Sequence, residues 1–242
     1  MEKTYFALIG DIVNSRNDSD RGALQQRLNA ALDNVNRSYR AVIAADFLIT
    51  LGDEFQGLLF AREGADPLVI ASGIMDAVFP ARIRVAVGYG TMSTEVDRSA
   101  ALGADGRAYH LARSGLDSLK VFEKYCASRA VFIGESEADE PVNALLLLLS
   151  ALRRGRSARQ NELASAYVCS RFPPEGGRLP TQKELSARLG ITQGTFNVSL
   201  SASFAREYAS GLAAAEKLLL PLKMQPRTPV QTNETDRRSG KK

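Results

Sequence analysis

Hydrophobic positions along the chain follow first one period and then another. Residues 5–13 run almost unbroken through Tyr5, Phe6, Ala7, Leu8 and Ile9 before meeting Gly10-Asp11, the pattern of a buried strand with a polar end. Over 20–35 the period becomes helical, with Leu24, Leu28, Ala31, Leu32 and Val35 on one face. Two apolar runs, 41–51 and 54–60, flank Gly52-Asp53, which is a hairpin signal. Residues 67–78 predict a helix, 83–89 a strand rich in Val and Ile, 105–125 a helix and 130–134 a short last strand. The order β-α-β-β-α-β-α-β predicts a split β-α-β sheet of ferredoxin-like type with its helices on one face.

Beyond this point the pattern changes. Residues 135–141 are acidic and polar and predict a linker. From Val142 the chain is helical and basic, and the apolar run 144–149 predicts a buried helix too short to span a bilayer. Residues 171–180 form a Pro/Gly loop, and 225–242 have no apolar period, as in a disordered segment. The expected class is α+β: a sheet domain over 1–138, an all-α domain over 139–222 and a basic tail over 223–242.

Charge sharpens the division. Residues 1–150 hold 15 Lys/Arg against 20 Asp/Glu, whereas 151–242 hold 16 against 7. A basic segment of this kind points to a polyanionic partner. Cys126 and Cys169 form no CxxC pair, so neither a disulfide framework nor a zinc site is expected. With no secretory signal and no membrane span visible, a cytoplasmic location is expected.

Thr181 and Glu184 are spaced as a capping box. Leu185 and Leu189 face inward, Gly190 supplies a left-handed turn, and Ile191 plugs the corner. Thr192 caps a second helix with Phe196 and Leu200 at i, i+4. A helix over 158–169 would cover the open side. The spacing resembles the helix-turn-helix of many bacterial regulators, which implies DNA binding. Gln193, Thr195 and Asn197 would then face the major groove, where Asn and Gln pair bidentately with adenine. Lys183, Arg188 and Arg206 would hold phosphates. Residues 192–205 contain no Lys or Arg, so dimerisation or the basic tail would have to help.

Two acidic strand ends stand out in the first half: Asp11 after Ile9-Gly10, and Asp53 at the hairpin tip. On neighbouring strands the two carboxylates would meet as hard oxygen ligands for Mg²⁺ or Mn²⁺. Such ions can hold a triphosphate, and the turn Ile12, Val13, Asn14 and Ser15 could offer its backbone N–H groups to phosphate. The alternative is structural, with Asp11 starting a turn and Gly52-Asp53 closing an ordinary hairpin. His110, the one histidine, reads as a satisfied structural residue.

Asp11-Ile12-Val13 followed by Leu51-Gly52-Asp53 resembles the metal-binding pair of class III nucleotide cyclases. The stretches 84–90 and 106–113 resemble their next strand and the helix that carries their transition-state arginine. The resemblance implies that Arg113 faces developing phosphate charge. Leu51-Gly52-Asp53-Glu54-Phe55 is similar to the hairpin of diguanylate cyclases. Tyr109 stands where the cyclase helix offers asparagine, and Phe47 near the base-reading position. The whole chain resembles the SatD family, bacterial cytoplasmic proteins that join such a region to a helix-turn-helix. The resemblance covers 6–15, 48–59, 84–90, 108–113 and 158–200. It implies a DNA-binding regulator whose palm-like domain binds a metal–nucleotide ligand, with a homodimer suggested by both analogies. Two other readings stay open: a nucleotidyl cyclase-type enzyme using two metal ions, and a non-catalytic interaction module.

Overall fold

β1 (Thr4–Ile12) lies at the centre of a five-stranded sheet of order β2-β3-β1-β4-β5. The computed structural model describes residues 3–13, 21–50, 52–98, 103–122, 128–174 and 178–224. β3 (Glu54–Phe60) and β4 (Ile83–Thr91) flank β1, both antiparallel to it. β2 (Ile43–Ile49) pairs with β3 as a hairpin, and β5 (Ala130–Ile133) joins β4 in parallel. A parallel neighbour needs a crossover, and α3 (Arg107–Phe122) provides it.

β1 is buried on both faces, which accounts for its unbroken apolar run. Phe6, Leu8 and Ile12 face one core, with α1 (Arg21–Ser38) and α2 (Pro67–Ala77). Tyr5, Ala7 and Ile9 face another, with Ala108, Tyr109, Ala112 and Leu116 of α3. The expectation of helices on one face is therefore corrected: α3 covers the second. Gly88 of β4 makes this approach possible. A Cβ there would lie 2.2 Å from the Ala108 carbonyl oxygen and 2.4 Å from the Ala112 nitrogen.

The expected linker over 135–141 is also corrected. Its second half is already helix, because α4 begins at Asp139 (Asp139–Arg153). The Asp139 carboxylate accepts the N–H groups of Gly134, Glu135 and Ser136 at 2.9, 3.0 and 3.2 Å. Backbone donors satisfied in this way hold the turn tight. The leucine run on α4 is one-sided rather than buried all round: Val142, Leu146 and Leu149 are buried, while Leu148 is 62% exposed.

α5 (Ala158–Arg171), α6 (Gln182–Arg188), α7 (Gln193–Ala202), α8 (Ala205–Leu218) and α9 (Leu220–Lys223) follow. Packing crosses residue 139. Val142, Leu146, Tyr208, Leu212 and Leu222 belong to the same core as Phe6, Leu8 and Leu28.

α2 is the seam. Asp66, its N-cap, makes no side-chain cap bond. The Glu216 carboxylate on α8 accepts instead from the Leu68 and Val69 N–H groups at 2.7 and 3.1 Å, where the positive helix end favours a negative charge. Lys223 joins Glu216 and Asp66 at 2.9 and 3.0 Å. Midway along α2, Ser72 bonds the Tyr208 hydroxyl at 3.0 Å. At its end Arg153 pairs with Asp76 at 2.5 Å. Among the described residues no helix is long and apolar enough to cross a membrane.

Candidate functional site

Alternation along the strands sends Asp11, Glu54 and Arg84 to the α3 face of the sheet. The register makes them direct neighbours: Glu54 on β3 opposes Asp11 on β1, which opposes Arg84 on β4. Three charged side chains thus form one row at the end of the second core. Arg84 donates to both oxygens of Asp11, from Nε at 2.8 Å and from a terminal nitrogen at 3.1 Å. Forked bonding of this kind is the strong geometry for a guanidinium and a carboxylate. α3 completes the cluster from above. Lys120 lies 3.4 Å from Asp11, and Arg113 lies 2.8 Å from Glu54. Exposure is graded: the Asp11 and Arg84 side chains are 9% and 12% exposed, those of Lys120 and Arg113 37% and 42%.

The backbone segments that carry Asp11 and Asp53 are adjacent, since the Ile12 N–H donates to the Asp53 carbonyl at 3.2 Å. Yet the carboxylate facing Asp11 across the register is that of Glu54. Arg113 reaches the site, through Glu54. The N–H groups of Ile12 and Val13, expected to meet phosphate, are instead bonded to the carbonyls of Asp53 and Arg82, the latter at 2.8 Å. They are closed off because they continue the pairing of β1 with both its neighbours at the ends of the strands. Asn14 and Ser15 lie outside the described residues. Glu54, Arg84 and Lys120 were not singled out from the sequence. The signal for the first two was the strand alternation, which becomes decisive only with the register.

The oxygens of Asp11 are taken up by two cations, and among the described residues no three His, Cys, Asp or Glu side chains gather as a metal ion would need. In this arrangement the residues do not fit a bare Mg²⁺ or Mn²⁺ ion. His110 is solvent-facing and bonds Asp105 at 2.6 Å.

A second surface lies on α6 and α7. The reciprocal bonds of Thr181 and Glu184 start α6. The Thr181 N–H, with Arg178 beside it, holds the Glu184 carboxyl at about 2. Gly190, at φ +66°, makes the left-handed turn, and the Thr192 hydroxyl accepts the Thr195 N–H at 3.1 Å to start α7. Leu185, Phe196 and Leu200 pack beneath with Leu163 and Ala164 of α5. Gln193, Thr195, Val198, Lys183 and Arg188 are exposed. Arg206 and Asn197, both expected at DNA, meet each other here. Arg206 does not extend toward a phosphate: it donates to Asn197 Oδ1 at 3.0 Å and to the Ser201 hydroxyl at 3.2 Å. Arg206 thus takes up one of the two lone pairs of the Asn197 amide oxygen.

Fold and site together define a mixed α+β protein: a five-stranded sheet covered on both faces, with a charged row at one end and a set of packed helices on its α2 side. The chain belongs to the SatD family, whose sequence profile matches residues 5–219. No curated protein matches the chain in sequence. Two solved structures of a bacterial light-regulated adenylyl cyclase are similar over 55% of this chain, each at 11% identity, with TM-scores of 0.40 and 0.38. The similar region spans 44% of the first of those chains and 76% of the second. A likeness at that level decides neither the fold nor the activity of this chain.

Proposed function

We propose that the protein is a cytoplasmic DNA-binding regulator whose sheet domain, a cyclase-like palm, takes a nucleotide. The observation that carries the reading is the α6–α7 pair, taken as a helix-turn-helix. Both helices are capped and pinned on α5, while the outer side of α7 is left uncovered with Gln193, Thr195 and Val198 upon it. Lys183 and Arg188 stand exposed on α6 to meet phosphates. The test is fluorescence anisotropy with labelled duplex DNA over a range of salt. Binding that weakens steeply with salt supports the reading, and affinity no greater than that of a neutral control protein overturns it. A homodimer would supply the two half-sites such regulators use, and light scattering with and without duplex tests it.

The nucleotide would lie over the charged row, its phosphates met by Arg84, Arg113 and Lys120. α2 touches both the sheet and the helices that carry α7, which favours coupling between ligand and DNA. Coupling predicts that nucleotide with Mg²⁺ shifts DNA affinity, and reciprocally that DNA shifts nucleotide affinity.

A second reading is an enzyme acting on a nucleoside triphosphate. It is favoured by the direct opposition of Asp11 and Glu54 with Arg113 beside them. Pyrophosphate release from ATP or GTP, lost in Asp11→Asn, would establish it.

A further inference from the structure

We propose that the outer face of α4 is the surface on which two copies of this chain pair, antiparallel, about a twofold axis at Leu147 and Leu148. The inference rests on the homodimer named above and gives it a place in the fold. It does not depend on what α7 binds.

The amino acids of α4 set the problem. A helix at a protein surface turns an apolar stripe inward and a polar one outward, and a helix apolar on every side is one that is covered on every side. α4 has its inward stripe in Val142, Leu146 and Leu149. Its half-buried polar side chains Asn143 and Ser150 are engaged toward the sheet: Asn143 bonds the Phe132 N–H and carbonyl, and Ser150 accepts the Arg129 N–H. The outward positions should then be charged. Instead, every exposed position between Glu140 and Arg154 is apolar: Pro141, Ala144, Leu147, Leu148 and Ala151. Leu147 and Leu148 are 40% and 62% exposed. α8 lies alongside, with Gly211 against Leu149, and about one and two turns further on it leaves Ala214 and Leu218 exposed. A contiguous apolar patch of this kind marks an interaction site. Residues 225–242 hold Val230 as their one large aliphatic side chain, so the C-terminal segment brings little with which to cover it.

Charge selects a second copy as the partner. Glu140 and Arg154 stand seven residues on either side of Leu147, opposite in sign and both exposed. When two α4 helices lie antiparallel with Leu147 and Leu148 at the crossing, Glu140 of each copy meets Arg154 of the other. A parallel pair would set like charges together. Positions 140, 144, 147, 151 and 154 follow the alternating four- and three-residue spacing of a coiled-coil seam. Ala144 and Ala151 also flank the leucines evenly, so small side chains of the two copies face each other and the leucines fill the middle. The antiparallel arrangement further sets the positive end of each helix beside the negative end of the other. A twofold pair requires one patch that fits itself, and this face does. A lipid surface would ask for cations around the apolar residues, whereas here one end is acidic and the other basic.

The experiment is sedimentation velocity on the full chain from low to high micromolar concentration. Wild type should pass from monomer to dimer. Leu148→Glu should weaken the dimer by at least about 30-fold and leave the circular dichroism unchanged, since it replaces an exposed side chain. Glu140→Arg and Arg154→Glu should each weaken it severalfold, because each sets two pairs of like charges together. The double variant Glu140→Arg/Arg154→Glu should recover the wild-type constant. A chain that stays monomeric throughout overturns the inference and the homodimer with it. A dimer that Leu148→Glu leaves intact overturns this face while the homodimer stands. If Leu148→Glu dissociates the dimer and the double variant is as weak as the single ones, the antiparallel pairing is overturned. Should Leu148→Glu fail to fold, the charge series alone decides, since Glu140 and Arg154 lie outside the core.

Discussion

Gly88 carries no side chain because the backbone of α3 stands where one would be. Gly88→Ala would press a methyl group against the Ala108 carbonyl and the Ala112 nitrogen, neither of which is the end of a flexible side chain. The expected loss is about 1–3 kcal/mol or more, read as a lower urea midpoint at unchanged slope. Glu216 sets a pH dependence. Burial, acting against the attraction of Lys223, lifts its carboxyl to about 7. A carboxyl raised above its unfolded value favours the protonated native form, so its contribution is complete below the ordinary glutamate range and is lost as pH rises through about 7. Chemical denaturation should therefore give a midpoint that falls from pH 5 to pH 8. Glu216→Gln should flatten that slope while still accepting from the Leu68 and Val69 N–H groups. Lys223, carried upward by Glu216 and Asp66 although burial opposes its charge, stays ionised across that range. At this scale the sequence pointed to Asp11 but took Asp53 as its partner. A shift of one position along a strand moves a side chain to the opposite face. The choice between Asp53 and Glu54 therefore needed the β1–β3 register.

At the scale of elements, α6 and α7 are the most legible part of the chain. Thr181, Glu184, Gly190 and Thr192 act through bonds to backbone only a few residues away, and such bonds are written into the local sequence. Thr181→Ala and Thr192→Ala should each remove about 1 kcal/mol of stability and weaken DNA binding by fraying the pair. The proposed interface makes a sharper distinction. Lys183→Ala and Arg188→Ala should each reduce the salt slope of DNA binding by about 1. Arg206→Ala should leave the slope unchanged and alter sequence preference, because its guanidinium is engaged with Asn197 and Ser201 on α7. Anisotropy titrations at several salt concentrations, on two or more duplex sequences, separate these outcomes. The face that α3 covers was less legible. An amphipathic helix declares that one side is buried, but not against which face of a sheet both of whose faces are apolar.

In the whole molecule, α2 joins the two parts that the charge distribution separates. Glu216 and Lys223 hold its start, Tyr208 its middle and Arg153 its end. Arg153→Ala would leave the Asp76 side chain, 2% exposed, without the guanidinium bonded to it and with Arg156 as a more distant cation. The expected loss is about 3–5 kcal/mol. Because one core runs from Phe6 to Leu222, the described part of the chain should unfold in a single step. Calorimetry should give equal calorimetric and van't Hoff enthalpies, and two separated transitions would contradict the shared core.

The sequence by itself determined the elements, their order and the local bonds that start and stop α6 and α7, because periodicity and caps act over a few residues. It also pointed to Asp11, and the family resemblance to Arg113, as candidates, and both stand in the charged row. Only the tertiary structure decided that Glu54 and Arg84 stand beside Asp11, that Lys120 reaches it from α3, and that Glu216 caps a helix it is far from in sequence. Each of those contacts depends on strand register or on the docking of one helix against another. Such contacts join residues tens to more than a hundred positions apart, and no local pattern encodes them.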